Sequence, residues 1–250
     1  MSSVNGVQVD VPTADGVADA YLASPADGAP HPGVLMFMDA IGIRPQLEGM
    51  ARRIASHGYT VLLPNLFYRS GRAPLLELPE FIDMSKASIF SDIGPMMAAL
   101  TPDLAMQDAG SYLDWLSASP LTSGDRVGVT GYCMGGRTAL LTAEHFPDRI
   151  AAAAAFHAGR LATDQPDSPH LLADRITAEL YFGHADQDPS LPAEQIEHLN
   201  EALTAAGVTY RAEVYPGAGH GYTQADTSRY DEAGDARHWQ EMLALFDRTL

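Results

Sequence analysis

Short apolar runs recur along the chain and alternate with longer segments of helical periodicity. Two alternating runs between Val7 and Ala23 predict an antiparallel hairpin. The later runs are typical of strands buried on both faces, and they are Val34–Met38, Tyr59–Leu66, Arg126–Gly131, Ile150–Phe156, Thr177–Gly183 and Tyr210–Tyr215. The predicted helices are Gln46–His57, Asp103–Ser119, Met134–His145, Ala193–Ala206 and Ala236–Leu250. The alternation predicts an α/β fold, with a mostly parallel central sheet and helices on both faces.

Two segments leave the pattern open to other interpretations. The alanines of Ile150–Phe156 are also compatible with a helix. Residues 69–101 contain three prolines and several methionines and interrupt the alternation. We interpret them as a helical excursion over one edge of the sheet, a kind of segment that often forms a lid or a substrate wall. Because the sequence has no internal repeat or low-complexity linker, we expect residues 1–250 to form one domain that includes this lid-like segment.

Composition and charge narrow the classes of function. The 250 residues are 46% hydrophobic and 19% charged, which is typical of a globular domain. The net charge of −17 argues against nucleic acid and against anionic membrane surfaces as partners. The N-terminus lacks the basic and apolar regions of a signal peptide. The longest apolar stretch, Ile150–Phe156, is far shorter than the roughly 20 residues that span a bilayer. We therefore expect a cytoplasmic protein.

Cys133 is the sole cysteine, so no disulfide can form within the chain. Composition alone favours an inert, buried thiol. Its surroundings favour a different interpretation, because Gly131-Tyr132-Cys133-Met134-Gly135 follows a predicted strand and precedes a predicted helix. This is the G-x-nucleophile-x-G turn, in which a strained backbone exposes the nucleophile and close neighbours must be glycine. A helix N-terminus also favours a thiolate and offers free N–H groups.

Two other interpretations of this turn remain. One is a tight strand–helix connection that holds an incidental cysteine. A dinucleotide-binding loop fits less well, because the glycines do not have the G-x-G-x-x-G spacing and the turn lies in the middle of the chain. Cys133 is therefore the candidate nucleophile, and no cofactor is expected.

A thiol nucleophile needs a base, and the base needs an acid that orients it. The G-x-nucleophile-x-G turn is typical of proteins whose chain order is nucleophile, acid, histidine. In that order the candidate base is His220, in PGAGHGY. The alternative is that His220 is an ordinary loop histidine. Asp186 and Asp188 in GHADQDPSLP both follow a predicted strand. We favour Asp188, because it directly precedes the turn into the next helix, whereas Asp186 could cap the turn. A metal site around His184 is not expected, since no matching Cys/His cluster exists elsewhere in the sequence.

Two backbone N–H groups should stabilise the developing oxyanion. One belongs to Met134, the residue after the candidate nucleophile, and the other is expected at Ala40, in the loop after the first long buried strand. Asp39 ends that strand, and we expect its carboxylate to point toward Cys133 and to pair with the thiol. The alternative for Asp39 is a helix-capping role.

The segments GYCMGGR, GHADQDPSLP and PGAGHGYT together resemble the dienelactone hydrolase (carboxymethylenebutenolidase-like) family of α/β hydrolases. The resemblance extends from about Val7 to the C-terminus. It implies an α/β-hydrolase fold, no cofactor or metal, and hydrolysis of a small-molecule ester or lactone. It further implies the following roles: Cys133 as nucleophile, Asp188 as triad acid, His220 as triad base, Ala40 and Met134 as oxyanion-hole amides, and Asp39 in place of a family glutamate that pairs with the thiol.

The sequence departs from the family pattern at two positions. Gln224 stands where the family's type enzyme has an arginine that binds the substrate carboxylate, and Asp39 is one methylene shorter than glutamate. Another anion site would have to come from elsewhere, and the sequence offers Arg69, Arg72 and Arg137 without selecting one. A ligand-binding protein without catalysis and a redox-sensing thiol protein are the alternative functions. The lack of a second cysteine argues against the redox function.

Overall fold

The computed structural model describes residues 3–85, 88–186 and 188–250. The strands are β1 (Val4–Thr13), β2 (Gly16–Pro25), β3 (His31–Phe37), β4 (Thr60–Pro64), β5 (Thr122–Tyr132), β6 (Ile150–Phe156), β7 (Glu179–Ala185) and β8 (Tyr210–Tyr215). The helices are α1 (Pro45–Ser56), α2 (Ser88–Ala99), α3 (Pro102–Ala118), α4 (Met134–His145), α5 (Ala193–Ala205) and α6 (Glu232–Thr249). A short 3₁₀ helix at Pro169–Arg175 was not predicted from the sequence.

The strands form one eight-stranded sheet in the order β1-β2-β4-β3-β5-β6-β7-β8. The predicted hairpin is present as the antiparallel pair β1–β2, and β2 is also antiparallel to β4. The strands from β4 to β8 pair in parallel. Helix α4 packs against β5 and β6, α1 against β2 and β4, and α6 against β6 and β7. The predicted α/β class with a mostly parallel central sheet is confirmed.

Burial by helices and neighbouring strands explains the continuous apolar runs. Residues Val34–Phe37 in β3 are fully buried, as are most residues of β4 and β6. The helical interpretation of Ile150–Phe156 is wrong, because these residues form β6 between β5 and β7. No helix in the described residues is both long enough and apolar enough to cross a membrane.

Residues 69–101 are less helical than the sequence suggested. In the described residues, helix α2 spans Ser88–Ala99, and irregular turns fill most of the stretch from residue 69 to residue 85. Residues 86 and 87 lie outside the described residues. Within the irregular part, Ile82 N–H donates to the carbonyl of Asp226 at 2.8 Å, and Ser228 N–H donates to the carbonyl of Ile82 at 3.0 Å. The excursion is thereby fastened to the loop that follows β8.

The parallel arrangement of the strands also determines where the candidate functional residues lie. Strands β3, β5, β6, β7 and β8 run in the same direction, so the loops after them emerge at one edge of the sheet. These loops carry the candidate residues named from the sequence.

Candidate active site

Cys133 occupies the turn between β5 and α4 with φ 55° and ψ −116°. A non-glycine residue in the left-handed region is strained, and the turn is held by a 3.0 Å hydrogen bond from Cys133 N–H to the carbonyl of Phe156. A Cβ at Gly131 would lie 2.0 Å from the carbonyl oxygen of Gly135, and a Cβ at Gly135 would lie 2.4 Å from that of Met38. The flanking glycines are therefore needed for close backbone packing, as the sequence motif predicts.

The structure brings Cys133, His220 and Asp188 together from the loops after β5, β8 and β7. Cys133 Sγ lies 3.0 Å from His220 Nε2, and His220 Nδ1 lies 2.6 Å from Asp188 Oδ2. The carboxylate of Asp188 is almost fully buried, whereas about a third of the His220 side chain is exposed. The arrangement has the geometry of a nucleophile, a base and an orienting acid.

The hydrogen bonds of the site shift the pKa values of His220 and Asp188 in opposite directions. Burial lowers the pKa of His220, but the hydrogen bonds to Asp188 and to Cys133 outweigh it and raise that pKa to about 10. Burial raises the pKa of Asp188, but the hydrogen bonds to His220 and Ser190 outweigh it and hold that pKa below its ordinary value. The site therefore favours a protonated imidazole beside an ionised carboxylate.

Ser190 orients the carboxylate of Asp188 and was missed in the sequence analysis. Its N–H and its hydroxyl both donate to Asp188 Oδ1, at 2.9 and 2.7 Å, which leaves Oδ2 for His220. A serine two residues after an aspartate is a common turn arrangement, so the DPS sequence carried this signal. Asp186 instead accepts a 3.0 Å hydrogen bond from Gly217 N–H and thereby supports the loop that precedes His220.

The candidate oxyanion-hole amides lie beside the nucleophile. Met134 is the first residue of α4, directly after Cys133, and Ala40 lines the same pocket as Cys133. Neither the Met134 N–H nor the Ala40 N–H has a hydrogen-bond acceptor in the part of the chain that the structure describes. Both donors are thus available to a bound oxygen atom.

The expected contact between Asp39 and the thiol is not observed, and this prediction is corrected. Arg44 Nη1 and Nη2 donate to Asp39 Oδ1 and Oδ2 at 2.9 and 3.0 Å, and Ile41 N–H donates to Oδ1 at 3.0 Å. A guanidinium matches both oxygens of a carboxylate at once, which a thiol cannot do. Burial lowers the pKa of Arg44, but Asp39 and Asp226 outweigh it and raise that pKa above its ordinary value.

Arg44 is itself held by residues far away in the sequence. It is 5% exposed, and its Nε donates to Asp226 Oδ2 at 2.6 Å. Its Nη2 also donates to Gln224 Oε1 at 3.0 Å. The amide of Gln224 donates to Thr223 Oγ1 at 3.0 Å, and Thr223 Oγ1 lies 2.8 Å from His157 Nε2. Gln224 occupies the position of the family arginine. It is therefore the second residue of a buried series of hydrogen bonds that begins at Arg44 and ends at His157.

Thr223 lies between Gln224 and His157. The Thr223 hydroxyl accepts from Gln224 Nε2 at 3.0 Å, and in its 2.8 Å contact with His157 Nε2 either group can be the donor. Burial, followed by the charge of His220, lowers the pKa of His157 well below its ordinary value. His157 is thus a neutral wall of the pocket, packed edge to face against His220 with ring centroids 5.3 Å apart.

The three arginines that the sequence offered for an anion site are engaged elsewhere. They form ion pairs as follows: Arg69 with Asp15 and Asp108, Arg72 with Asp10, and Arg137 with Asp167. Arg229 lines the pocket instead. Among the described residues its guanidinium has no ion-pair partner. No sequence signal distinguished Arg229, because its place depends on the path of the loop after His220.

The pocket in front of Cys133 is small, with a cavity volume of about 70 Å³. The loop after β3 and the loop from His220 to Arg229 both line it. Met84, from the irregular part of the excursion, lines it as well. A cavity of this volume holds only a few groups the size of a water molecule, such as the carbonyl end of a small substrate beside Cys133.

The chain is similar to known proteins over nearly its whole length. A family model described as the dienelactone hydrolase family matches residues 18–250. A Methylorubrum extorquens protein, provisionally named a carboxymethylenebutenolidase, is 31% identical over 220 residues, which cover 86% of this chain and 71% of that protein. The carboxymethylenebutenolidase of Rhodococcus opacus is 26% identical over 234 residues, which cover 92% of this chain and 86% of that protein.

Solved structures show the same architecture. A crystal structure from Klebsiella pneumoniae subsp. pneumoniae, provisionally described as a dienelactone hydrolase, superposes with a TM-score of 0.86 at 24% identity. The superposition covers 99% of this chain and 100% of that one. At this identity the likeness shows the fold alone, which is the α/β-hydrolase fold.

Proposed function

Because the chain belongs to the dienelactone hydrolase family and is a hydrolase that acts on esters or lactones, we propose that it cleaves an enol lactone or another activated ester through a cysteine nucleophile. Cys133 is the nucleophile, His220 the base and Asp188 the acid that orients the base. The observation that carries this proposal is the continuous contact from Sγ to Nε2 at 3.0 Å and from Nδ1 to Oδ2 at 2.6 Å.

The first half of the reaction forms an acyl-enzyme. The proton of Cys133 passes to His220 Nε2, and the thiolate attacks the substrate carbonyl. The amide N–H groups of Ala40 and Met134 stabilise the oxyanion, a role supported by their lack of acceptors among the described residues. The tetrahedral intermediate then collapses, the leaving oxygen takes the proton from His220, and a thioester remains on Cys133.

The second half hydrolyses this thioester. His220 removes a proton from a water molecule, which attacks the same carbonyl. The C–S bond then breaks, the Cys133 thiolate leaves and takes the proton from His220, and the carboxylic acid is released. Asp188 holds the imidazole in one tautomer and balances its charge in both halves. The 2.6 Å contact to Nδ1 and the two hydrogen bonds from Ser190 support this orienting role.

The choice of nucleophile restricts the substrate. A thiolate leaves more readily than an alkoxide, so the tetrahedral intermediate proceeds to product only when the leaving oxygen is stabilised. Enolates and phenolates meet this condition, and simple alkoxides and amines do not. The proposed substrates are therefore small enol lactones and aryl esters.

Hydrolysis of 4-nitrophenyl acetate by purified wild type and by Cys133→Ala tests the proposal. We expect the variant to lose turnover, and we expect iodoacetamide to block the wild type by alkylating its single thiol. Ser117→Ala, an exposed position on α3, is the matched control and should retain the wild-type rate. Equal rates for Cys133→Ala and wild type would contradict the proposal.

We also propose that residues 1–250 form one hydrolase domain in which residues 69–101 act as a lid-like wall. Two observations support the second part. Met84 lines the pocket, and the backbone of Ile82 is hydrogen-bonded to Asp226 and Ser228 beside it.

We propose a cytoplasmic location for the enzyme. The reason is chemical, because a free thiol nucleophile such as Cys133 needs a compartment that keeps it reduced.

A further inference from the structure

Cys133 and Asp39 line the same pocket but have different partners. In the described part of the chain, the hydrogen-bond partner of Cys133 Sγ is His220 Nε2 at 3.0 Å. The carboxylate of Asp39 is 4% exposed and is bound on both oxygens by Arg44. Three groups that line this pocket are chemically able to accept a proton, the imidazoles of His157 and His220 and the carboxylate of Asp39. Among the described residues, His220 is the one that is hydrogen-bonded to the thiol.

The contacts of Asp39 explain why its carboxylate does not compete with His220 for the proton of the Cys133 thiol. Oδ1 accepts from Arg44 Nη1 and from Ile41 N–H, and Oδ2 accepts from Arg44 Nη2, so three of its roughly four lone-pair directions are used. The guanidinium also neutralises the charge of Asp39 within a buried site, where an uncompensated carboxylate would repel a thiolate most strongly.

Arg44 stays in this position because its other contacts come from a distant loop. Its Nε and Nη2 donate to the carboxylate of Asp226, and Nη2 also donates to the amide oxygen of Gln224. These partners lie about 180 residues further along the chain and belong to the loop that carries His220. One side chain thus joins the loop of Asp39 to the loop of the base.

We propose that Arg44 is a positioning residue that prepares the nucleophile before any substrate binds. By occupying Asp39, it leaves His220 as the acceptor of the thiol proton. In this step the S–H bond of Cys133 breaks, its electron pair stays on sulfur, and an N–H bond forms at His220 Nε2. The inference rests on the proposed function only in assigning these two residues as nucleophile and base. The raised pKa of His220 agrees with this proton position.

Alkylation of the unliganded protein tests the inference without requiring turnover. The rate of iodoacetamide modification is measured at pH 7 by intact-protein mass spectrometry, which reports the single thiol. We expect Arg44→Met to lower this rate by about tenfold or more. The reason is that the substitution leaves the charge of the Asp39 carboxylate uncompensated beside the thiolate. The double variant Arg44→Met/Asp39→Asn should recover most of the wild-type rate, because it removes the released carboxylate.

This recovery distinguishes a positioning role of Arg44 from a merely structural one. If Arg44→Met lowered the alkylation rate by disturbing the fold, the added Asp39→Asn substitution would not restore that rate. Arg72→Met is the matched control, since Arg72 pairs with Asp10 on the surface and should leave the rate unchanged. If Arg44→Met does not fold, Arg44→Lys keeps a cation there but cannot bind both oxygens. It should give an intermediate rate.

Two results would overturn the inference: a wild-type alkylation rate in Arg44→Met or Arg44→Lys, or no recovery in the double variant. Hydrolysis of 4-nitrophenyl acetate by the wild type distinguishes this failure from failure of the proposed function. Alkylation that depends on Arg44 without any turnover contradicts the proposed function alone. Turnover together with alkylation that is independent of Arg44 contradicts the inference alone.

Discussion

Asp188 Oδ2 lies 2.6 Å from Nδ1 of His220, whereas Asp186, two residues earlier, binds the backbone N–H of Gly217 at 3.0 Å. The two carboxylates lie on one short loop after β7 and have different tasks. The first contacts the imidazole directly, and the second supports the loop that carries the imidazole.

This difference predicts unequal effects of two matched substitutions. Asp188→Asn should lower kcat by roughly 10³–10⁴-fold, because the amide favours the wrong tautomer of His220. Asp186→Asn should have a much smaller effect, since it only weakens one hydrogen bond to Gly217. Steady-state hydrolysis of 4-nitrophenyl acetate measures both. A larger loss in Asp186→Asn would assign the acid to that position instead.

The proposed thioester intermediate predicts a steep dependence on the leaving group. Across a series of acetate esters, kcat/KM should fall as the pKa of the leaving alcohol rises from nitrophenol to phenol to ethanol, because the thiolate competes for expulsion. Cys133→Ser provides the comparison, since an alkoxide nucleophile is a poorer leaving group and should flatten this dependence. A wild-type enzyme that cleaves ethyl and nitrophenyl esters equally well would argue against a sulfur nucleophile.

The close packing at the nucleophile turn predicts opposite effects of two glycine substitutions. Gly131→Ala should destabilise the protein by about 1–3 kcal/mol or more, because the new methyl group would overlap the carbonyl of Gly135. Gly49→Ala, on the exposed face of α1 with open space around it, should stabilise the protein by about 0.5–1 kcal/mol. Urea denaturation measures both free energies of unfolding. A neutral Gly131→Ala would mean that the turn can widen without cost.

Glu144 on α4 predicts a pH dependence of stability that is unrelated to catalysis. Its side chain is 1% exposed, and neither carboxylate oxygen has a hydrogen-bond partner among the described residues. Burial raises its pKa from 4.5 to about 9, despite the nearby charges of Arg137 and Arg175. The folded protein therefore holds a proton that the unfolded chain releases above about pH 4.5.

Stability should decrease as the pH rises from about 4.5 to about 9 and should then level off, because the native state binds the extra proton throughout that range. Glu144→Gln removes this contribution, so its advantage over wild type should grow with pH to a few kcal/mol, at about 1.36 kcal/mol for each pKa unit. Melting temperatures at pH 5 and pH 8 measure the effect. Glu201→Gln, exposed on α5, is the control that should show no such trend.

The features predicted well from the sequence are those set by local contacts. The boundaries of α4 were predicted correctly, because Cys133 and the glycines around it define the turn where the helix begins. The neighbourhood of Cys133, Asp188 and His220 also followed from local patterns. Each residue comes just after an apolar run, and parallel strands bring their carboxyl ends to one edge of the sheet.

The features that the sequence did not predict depend on contacts between distant segments. Arg44 lies five residues after Asp39, yet its orientation depends on Asp226 and Gln224 in a loop about 180 residues away. Residues 69–101 were predicted to be helical, but the first part of this segment is irregular. There the backbone of Ile82 is hydrogen-bonded to the loop that contains Asp226 and Ser228. Periodicity within a segment carries no information about such partners.

The backbone bridge between Ile82 and the loop of Thr227 has a mechanical consequence. Ile82, beside the Met84 wall of the pocket, and the loop that follows His220 are joined through their backbones, so outward movement of the wall breaks these hydrogen bonds or carries the loop with it. The position of the wall is therefore linked mechanically to the loop that places His220 against Cys133.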